Sequence, residues 1–202
     1  MKLYEYLPRH IELDGKRYSF HPSFVVVMAC QDVFHEKELE DIDAIEIIFD
    51  SLFTRWTKFR ARRKDLFFKI EMVKRVFDLL RDGQKQREQR QKVVDFEQDA
   101  KAIYAGFMQC YGIDLFKCRD LHWWKFIALF NGLSSDTRIM QIIDIRQRPI
   151  PKPTKYNADE RMHLMKLKAE YQLEMTQEER EQQFANNLNS LFDALKGMAE
   201  KR

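Results

Sequence analysis

The sequence predicts a mainly α fold: a helical-bundle body with a small N-terminal β-hairpin and a C-terminal helical arm or hairpin. Several segments repeat their apolar residues at spacings of three and four, which is the period of one face of a helix. Gly and Pro number only 6 and 5 in 202 residues, and a turn-rich β-sandwich needs more of both. One Asp-Gly pair, Asp14-Gly15 in IELDGKRYSF, predicts a single hairpin.

The first helices follow this hairpin. Pro22-Ser23 predicts the start of a helix that runs through Phe34, and Asp41 is the predicted cap of the next one. In DLFFKIEMVKRVFDLL the apolar positions are 4, 3, 4 and 3 residues apart, so we expect them to form one buried helical face. These positions are Leu66, Ile70, Val73, Phe77 and Leu80.

The middle of the chain predicts two further helices. Asp95 marks the start of one that ends at Gly112, and Gly106 inside it predicts close approach of a neighbouring backbone. The next segment, DLHWWKFIALFNGL, is apolar almost all round when drawn as a helix, so we expect other parts of the protein to surround it. We therefore interpret Trp123 and Trp124 as core residues, with a ligand-binding groove as the alternative.

A proline-rich segment follows the next predicted helix, which contains TRIMQIIDIR with Ile139, Ile142 and Ile143 inward. Prolines at positions 149, 151 and 153 remove amide donors and disfavour helix, so residues 149–155 are predicted to form a stiff connector. The connector divides the chain into a helical body at residues 1–148 and a helical arm at residues 156–202.

The arm contains two predicted helices. The first carries Met162, Met165, Ala169 and Leu173, and the second repeats its apolar residues at spacings of 4, 3, 4 and 3. A helical hairpin folding on itself or back on the body fits this pattern, and so does a seam that binds a partner helix or a second copy. The residues of the second stripe are Phe184, Leu188, Leu191, Leu195 and Met198.

The charge of the chain is unevenly distributed, although its net value is only +3. Residues 55–92 contain 14 Lys and Arg against 5 Asp and Glu. In RWTKFRARRK six cations surround Trp56 and Phe59, a mixture found in nucleic-acid-binding proteins. We interpret the two rings as continuing the apolar face of the preceding helix. The arginines then form a solvated helix end or a contact surface for an acidic partner, with Arg60, Arg62 and Arg63 as candidates.

No combination of residues predicts catalysis, a metal site or a cofactor. HEKEL at His35–Leu39 lacks the second histidine of the zinc motif HExxH, and the sequence has no phosphate loop, dinucleotide fingerprint or nucleophile elbow. His122 is more typical of a structural histidine than of a catalyst. Three cysteines without a CxxC pair indicate a reduced, cytoplasmic setting, and the longest apolar run, FVVVMAC, is too short to span a membrane.

Three blocks of sequence indicate a family. LYEYLPRHIELDGKRYSFHPSF, DFEQDAKAIYAGFMQCYGIDL and the segment LHWWKFIALFNGL with the later IMQIIDIR resemble the bacteriophage "gene product fifteen" family of siphophages with Gram-positive hosts. The resemblance runs from about residue 3 to residue 148. It implies a phage or prophage tail-morphogenesis protein of the host cytoplasm, of the kind that keeps the helical tape-measure protein soluble while tail-tube subunits polymerise around it. It implies no catalytic residues.

The leading hypothesis is therefore a non-enzymatic tail assembly chaperone whose partners are the tape-measure protein or other tail proteins. Leu188, Leu191 and Leu195 are the predicted contacts for a partner helix, and Arg60, Arg62 and Arg63 for acidic groups. Homo-oligomerisation through the arm is a further expectation. The alternatives are a permanent structural component of the tail or connector, and a nucleic-acid-binding regulator that uses residues 55–92. The last is the least favoured.

Overall fold

Two short strands precede eight helices in the computed structural model, which describes residues 5–35, 39–82 and 93–174. The fold is therefore mainly α with one N-terminal hairpin, as the sequence predicts. The elements are β1 His10–Leu13, β2 Lys16–Ser19, α1 Phe24–His35, α2 Asp41–Leu52, α3 Arg55–Ala61, α4 Leu66–Asp82, α5 Ala100–Tyr111, α6 Trp123–Asn131, α7 Arg138–Gln147 and α8 Ala158–Glu170.

The hairpin is built as its turn residues predict. Asp14 and Gly15 both have positive φ, 51° and 67°, which is the backbone of the two-residue type I′ turn that matches strand twist. The antiparallel register pairs Leu13 with Lys16 beside the turn. Ile11, Leu13 and Tyr18 are buried, so the hairpin is stabilised by the helices on which it lies.

The described residues fall into two compact units. The first contains residues 5–35, 39–82 and 99–141, and the second contains residues 93–98 and 142–174. The division falls inside α7, and residues 149–155 lie within the second unit together with α8. The predicted domain division at the proline-rich connector stays a prediction.

A stack of aromatic rings forms one part of the core of the first unit. The ring of Phe126 in α6 lies 4.8 Å from that of Phe24 in α1 and 5.2 Å from that of Phe107 in α5, nearly parallel to both. Trp123 and Phe130 stack on Phe126 from within α6. Such ring pairs contribute beyond the area they bury, so this stack joins three helices around one fully buried side chain.

The other part of this core lies between α2, α4 and the hairpin. Ile48 and Leu52 of α2 are fully buried, and so are Met72 and Val76 of α4. The predicted period of α4 is therefore correct, but its predicted buried face is partly wrong, because Ile70 is exposed. The elements that pack most extensively on α4 are α2 and β1, and they cover the side centred on Met72 and Val76.

Some helix boundaries lie where the local sequence signals predict them, and others differ from the prediction. The hydroxyl of Ser23 accepts from the amide of Val26, so this residue caps α1. The N-cap position of α2 is Glu40, and Asp41 is the first helical residue rather than the cap. Asp95 accepts from the amides of residues 97 and 98, but these belong to a turn, and α5 begins only at Ala100. Gly112 ends α5 with a left-handed φ of 63°.

In the second unit, Arg146 of α7 organises the surrounding chain. Its guanidinium donates to the carbonyl oxygens of Tyr171 and Val93 at 2.6 and 2.9 Å, and its own carbonyl accepts from Nζ of Lys168 at 2.7 Å. Leu164 is the buried side chain of α8. The expected stripe of this helix is therefore displaced, because Met162 and Met165 are 65% and 42% exposed.

Candidate partner-binding surface

The tryptophan pair is part of the fold's framework. Trp123 is buried, and Trp124 is half-buried with its indole N–H donating to the carbonyl of Leu80 at 2.9 Å, at the end of α4. The interpretation of the pair as core is confirmed for Trp123, whereas Trp124 joins two helices at the edge of the core. The expectation that α6 is surrounded on all sides is wrong, since Lys125 and Ala128 are exposed.

His122 has a structural role at the start of α6. Its Nδ1 accepts from the amide of Trp124 at 3.1 Å, which makes it the N-cap, and its Nε2 lies 3.0 Å from the carbonyl oxygen of Pro8. An accepting Nδ1 requires the ring proton on Nε2, which donates to Pro8. Burial lowers the pKa of His122, and the nearby charges of Arg9 and Lys125 lower it further, so the neutral ring is the stable form.

Other reactive side chains do not form a site in the residues that the structure describes. No group of three His, Cys, Asp or Glu residues within them is placed to hold a metal ion. Burial raises the pKa of the Cys30 thiol to about 12, so this residue is a packing group and not a nucleophile. Residues 36–38 of the incomplete HEKEL motif lie outside the described residues. No helix within the described ranges is both long and apolar enough to cross a membrane.

The basic segment at Arg55–Lys64 is the surface where the structure departs furthest from the sequence-based interpretation. The chain is extended at Phe53 and Thr54, so α3 is a separate helix and not the continuation of α2. Phe53 is fully buried and bridges to Phe20, while the hydroxyls of Thr54 and Thr57 both donate to the carbonyl of Ser19. The hairpin thereby fixes a new orientation for α3.

The restart of the helix exposes the two aromatic rings. The buried residues of α3 are Thr57 and Ala61, whereas Trp56 is 69% and Phe59 53% exposed. The interpretation that these rings continue the apolar face of α2 is therefore wrong. Two large aromatic rings exposed next to each other make this side of α3 a candidate interaction surface.

Cations and rings contact each other on this surface. The rings of Trp56 and Phe59 stack at 5.9 Å with 17° between their planes. The guanidinium carbon of Arg62 lies 4.3 Å from the centroid of Phe59, within cation–π range. Arg63 is exposed beyond the end of the helix. We call Trp56, Phe59, Arg62 and Arg63 the basic face.

Arg60 differs from its two neighbours. Its side chain donates to the carbonyl of Arg17 at 3.2 Å and its guanidinium lies 5.3 Å from the centroid of Tyr18. Arg60 therefore joins α3 to β2, and Arg62 and Arg63 are the candidates that remain exposed to solvent. Whether any of the three contacts a partner stays a prediction. Leu188, Leu191 and Leu195, the candidates on the arm, lie outside the described residues.

A signal for this surface was present in the sequence. Residues 39–54 contain five Asp and Glu and no Lys or Arg, and residues 55–64 contain six Lys and Arg and no Asp or Glu. The two runs meet at Thr54, whose hydroxyl accepts from the amide of Thr57 as the N-cap of α3. A cap residue at this position is the sequence signal for the restart of the helix.

The profile of the Bacteriophage Gp15 protein family matches residues 3–173 of the 202-residue chain. The chain belongs to this family. The match extends past residue 148, where the resemblance of the quoted motifs ended, so the proline-rich segment and α8 are part of the family region. No curated protein and no solved structure matches the chain. This Gp15-family protein is thus a bacteriophage protein with a mainly α fold.

Proposed function

We propose that this protein is a non-enzymatic tail assembly chaperone that binds the helical tape-measure protein in the host cytoplasm. The family match carries the proposal, since it identifies a bacteriophage protein. The exposed apolar side chains support it: Trp56 and Phe59 on α3 and Met162 and Met165 on α8 are available to partners. A protein that holds other chains during assembly needs such surfaces.

The mechanism follows from the chemistry of a tape-measure helix, whose apolar stripe must be kept from aggregating before the tail tube covers it. Leu188, Leu191 and Leu195 are spaced to fit such a stripe. Methionines such as Met162 and Met165 suit the same purpose because their flexible thioethers adapt to partners of varied shape. Each contact is weak by itself, and many copies along one tape measure add up to stable protection.

A nucleic-acid-binding role is the second candidate, because the exposed rings of Trp56 and Phe59 stand among six cations. Single strands bind such surfaces by stacking their bases on free ring faces. The ring of Phe59, however, already contacts the ring of Trp56 and the guanidinium of Arg62. These contacts compete with the stacking of a base on Phe59, so we favour a protein partner for this surface.

The proposal is tested by co-purification of the full chain with a fragment of the tape-measure protein encoded by the same phage. We expect Leu188→Glu with Leu195→Glu to reduce the recovered fragment about tenfold or more, because two charges enter the apolar stripe. The matched control, Asn186→Glu with Ser190→Glu, adds the same charge at positions that the helical period places on the side opposite the stripe, and it should bind normally.

Equal recovery by the wild-type chain and the leucine variant would show that the arm does not carry the contact. Absence of binding by the wild-type chain itself would contradict the chaperone proposal. Far-UV circular dichroism of each variant separates lost binding from lost structure.

A further inference from the structure

The exposed side of α2 is the chemical complement of the basic face. Residues 39–54 contain five acidic and no basic side chains. Ile42 and Ile47 of this helix are 56% and 40% exposed, and Glu40 and Asp43 are exposed beside them. We call these four residues the acidic face. It exposes two carboxylates and two aliphatic side chains on the solvent side of α2, whereas the basic face exposes two guanidinium groups and two aromatic rings.

Within one copy, lysines of α3 and α4 already pair with acidic residues of α2. Nζ of Lys58 in α3 donates to the backbone carbonyl of Asp50 at 3.0 Å. The carboxylate of Asp50 lies 3.9 Å from the same nitrogen. Nζ of Lys69 in α4 donates to the carboxylate of Glu46 at 2.6 Å. These pairs fix α2 against the helices that follow it. They leave the outer residues, Asp43 on one face and Arg63 on the other, exposed to solvent.

We propose that the basic face of one copy binds the acidic face of a second copy. The rings of Trp56 and Phe59 would cover Ile42 and Ile47, and the guanidinium groups would meet the carboxylates around them. Aromatic residues and Arg are enriched at the centres of protein interfaces, which is the composition of the basic face.

Charge complementarity favours a second copy over an unrelated acidic partner. Each copy carries both surfaces. One contact between two copies therefore pairs the excess positive charge of the basic face with the excess negative charge of the acidic face. The net charge of the chain is only +3, so two copies repel each other weakly. The inference does not depend on the proposed function, although self-association would arrange copies along a tape measure and strengthen their combined binding.

The experiment measures self-association of the full-length protein without any tail protein, by sedimentation velocity over a range of concentrations and salt. We expect the wild-type chain to associate and to dissociate as salt screens the charges. Arg62→Glu with Arg63→Glu reverses the basic face, and Glu40→Lys with Asp43→Lys reverses the acidic face. Each variant alone should associate about tenfold or more weakly, because like charges then meet across the interface.

Mixing the two reversed variants gives the decisive result. The reversed basic face of one variant now fits the reversed acidic face of the other, so we expect association to return in the mixture. Lys101→Glu with Lys125→Glu is the matched control, since it changes the net charge equally at exposed positions of α5 and α6. This control should associate as the wild-type chain does.

Fluorescence provides a local measurement of the same interface. Of the three tryptophans, Trp56 is exposed, Trp123 is buried and Trp124 is half-buried with a hydrogen-bonded indole. Acrylamide should therefore quench mainly Trp56, and quenching should decrease under the conditions in which the wild-type chain associates. The Trp56→Phe variant removes the quenched component and confirms its origin.

Three outcomes overturn the inference. The first is a wild-type chain that stays monomeric up to roughly 100 µM, where even weak interfaces are populated. The second is association that neither reversal weakens, which places the interface elsewhere. The third is a mixture of reversed variants that does not associate, which leaves the basic face to another acidic partner or, if nucleic acid co-purifies with the wild type but not with Arg62→Glu/Arg63→Glu, to nucleic acid.

Discussion

At the scale of single residues, His122 shows how a side chain with catalytic potential is committed to structure. One ring nitrogen caps α6 and the other contacts the carbonyl of Pro8, so the imidazole joins the N-terminal segment to the helix that carries Phe126. The cap requires the neutral ring with its proton on Nε2, whereas the bond to Pro8 needs only that proton and by itself raises the pKa of His122. Protonation of Nδ1 removes the acceptor of the Trp124 amide, so acid weakens the start of α6.

The pKa of His122 predicts a pH-dependent stability. The folded pKa lies below the ordinary value of 6.5, because burial disfavours the charged ring. Above pH 6.5 the ring is neutral in both the folded and the unfolded chain, so the full stabilisation by His122 is present. As pH falls below 6.5 the unfolded chain binds the proton first, so the free energy of unfolding decreases until the folded pKa is passed.

Urea denaturation of His122→Asn across this pH range tests the prediction. Asparagine is a good N-cap and does not titrate, so the variant should lose the part of the pH dependence that His122 causes. His122→Ala, without an acceptor, should be less stable at neutral pH by about 0.5–2 kcal/mol. His163→Asn replaces an exposed histidine of α8 and serves as the control. An unchanged pH profile in the His122→Asn variant would contradict this role.

At the scale of elements, Gly106 shows why a helix keeps a residue that destabilises it locally. A Cβ at this position would lie 3.3 Å from Cγ2 of Ile139 and 3.3 Å from Cδ1 of Leu133. The neighbours that approach are therefore side chains, and the expectation of a close backbone is wrong. Glycine costs about 1 kcal/mol of helix stability relative to alanine, and the packing of α5 against these two side chains offsets that cost.

The packing at Gly106 predicts the result of enlarging it. Gly106→Val adds three carbons where even one is tight, so we expect the free energy of unfolding to fall by about 1–3 kcal/mol, as in other overpacked cores. Ala105→Val places the same side chain at the exposed neighbouring position and should cost less than about 1 kcal/mol, through helix propensity alone. Urea denaturation measures both, and equal losses in the two variants would disprove tight packing at Gly106.

Helix α3, at the same scale, is a short element that distant contacts hold in place with its aromatic side exposed. Its seven residues form too short a helix to be stable by themselves, so tertiary contacts hold it in place. Those contacts are the hydroxyls of Thr54 and Thr57 on Ser19 and the side chain of Arg60 on β2. The remaining side of α3, with Trp56 and Phe59, faces solvent.

At the scale of the whole molecule, the proposed chaperone and a permanent tail component make different demands. A chaperone leaves when the tail tube covers the tape measure, whereas a component stays in fixed stoichiometry. We therefore expect quantitative mass spectrometry to detect this protein in lysates of infected cells and to find it missing from purified virions. The major tail-tube protein, measured in the same samples, is the control. Stoichiometric recovery from virions would favour the structural role.

The sequence by itself determined the class of the fold and many of its local features. The Asp14-Gly15 turn, the Gly112 cap and the period of α4 depend on interactions between residues close together in the chain. They can therefore be predicted from the sequence alone. The family motifs likewise identified the bacteriophage family, because they are properties of the sequence.

The tertiary structure decided where the buried faces are centred. Val73 and Leu80 of the predicted stripe of α4 are buried, but this face also includes Met72 and Val76 and leaves Ile70 exposed, because α2 and β1 pack on that side. The hydrogen bonds of Thr54 and Thr57 to Ser19 span more than 30 residues and rotate α3 so that Trp56 and Phe59 face outward. Contacts between distant residues therefore determine which side chains of α3 the protein exposes.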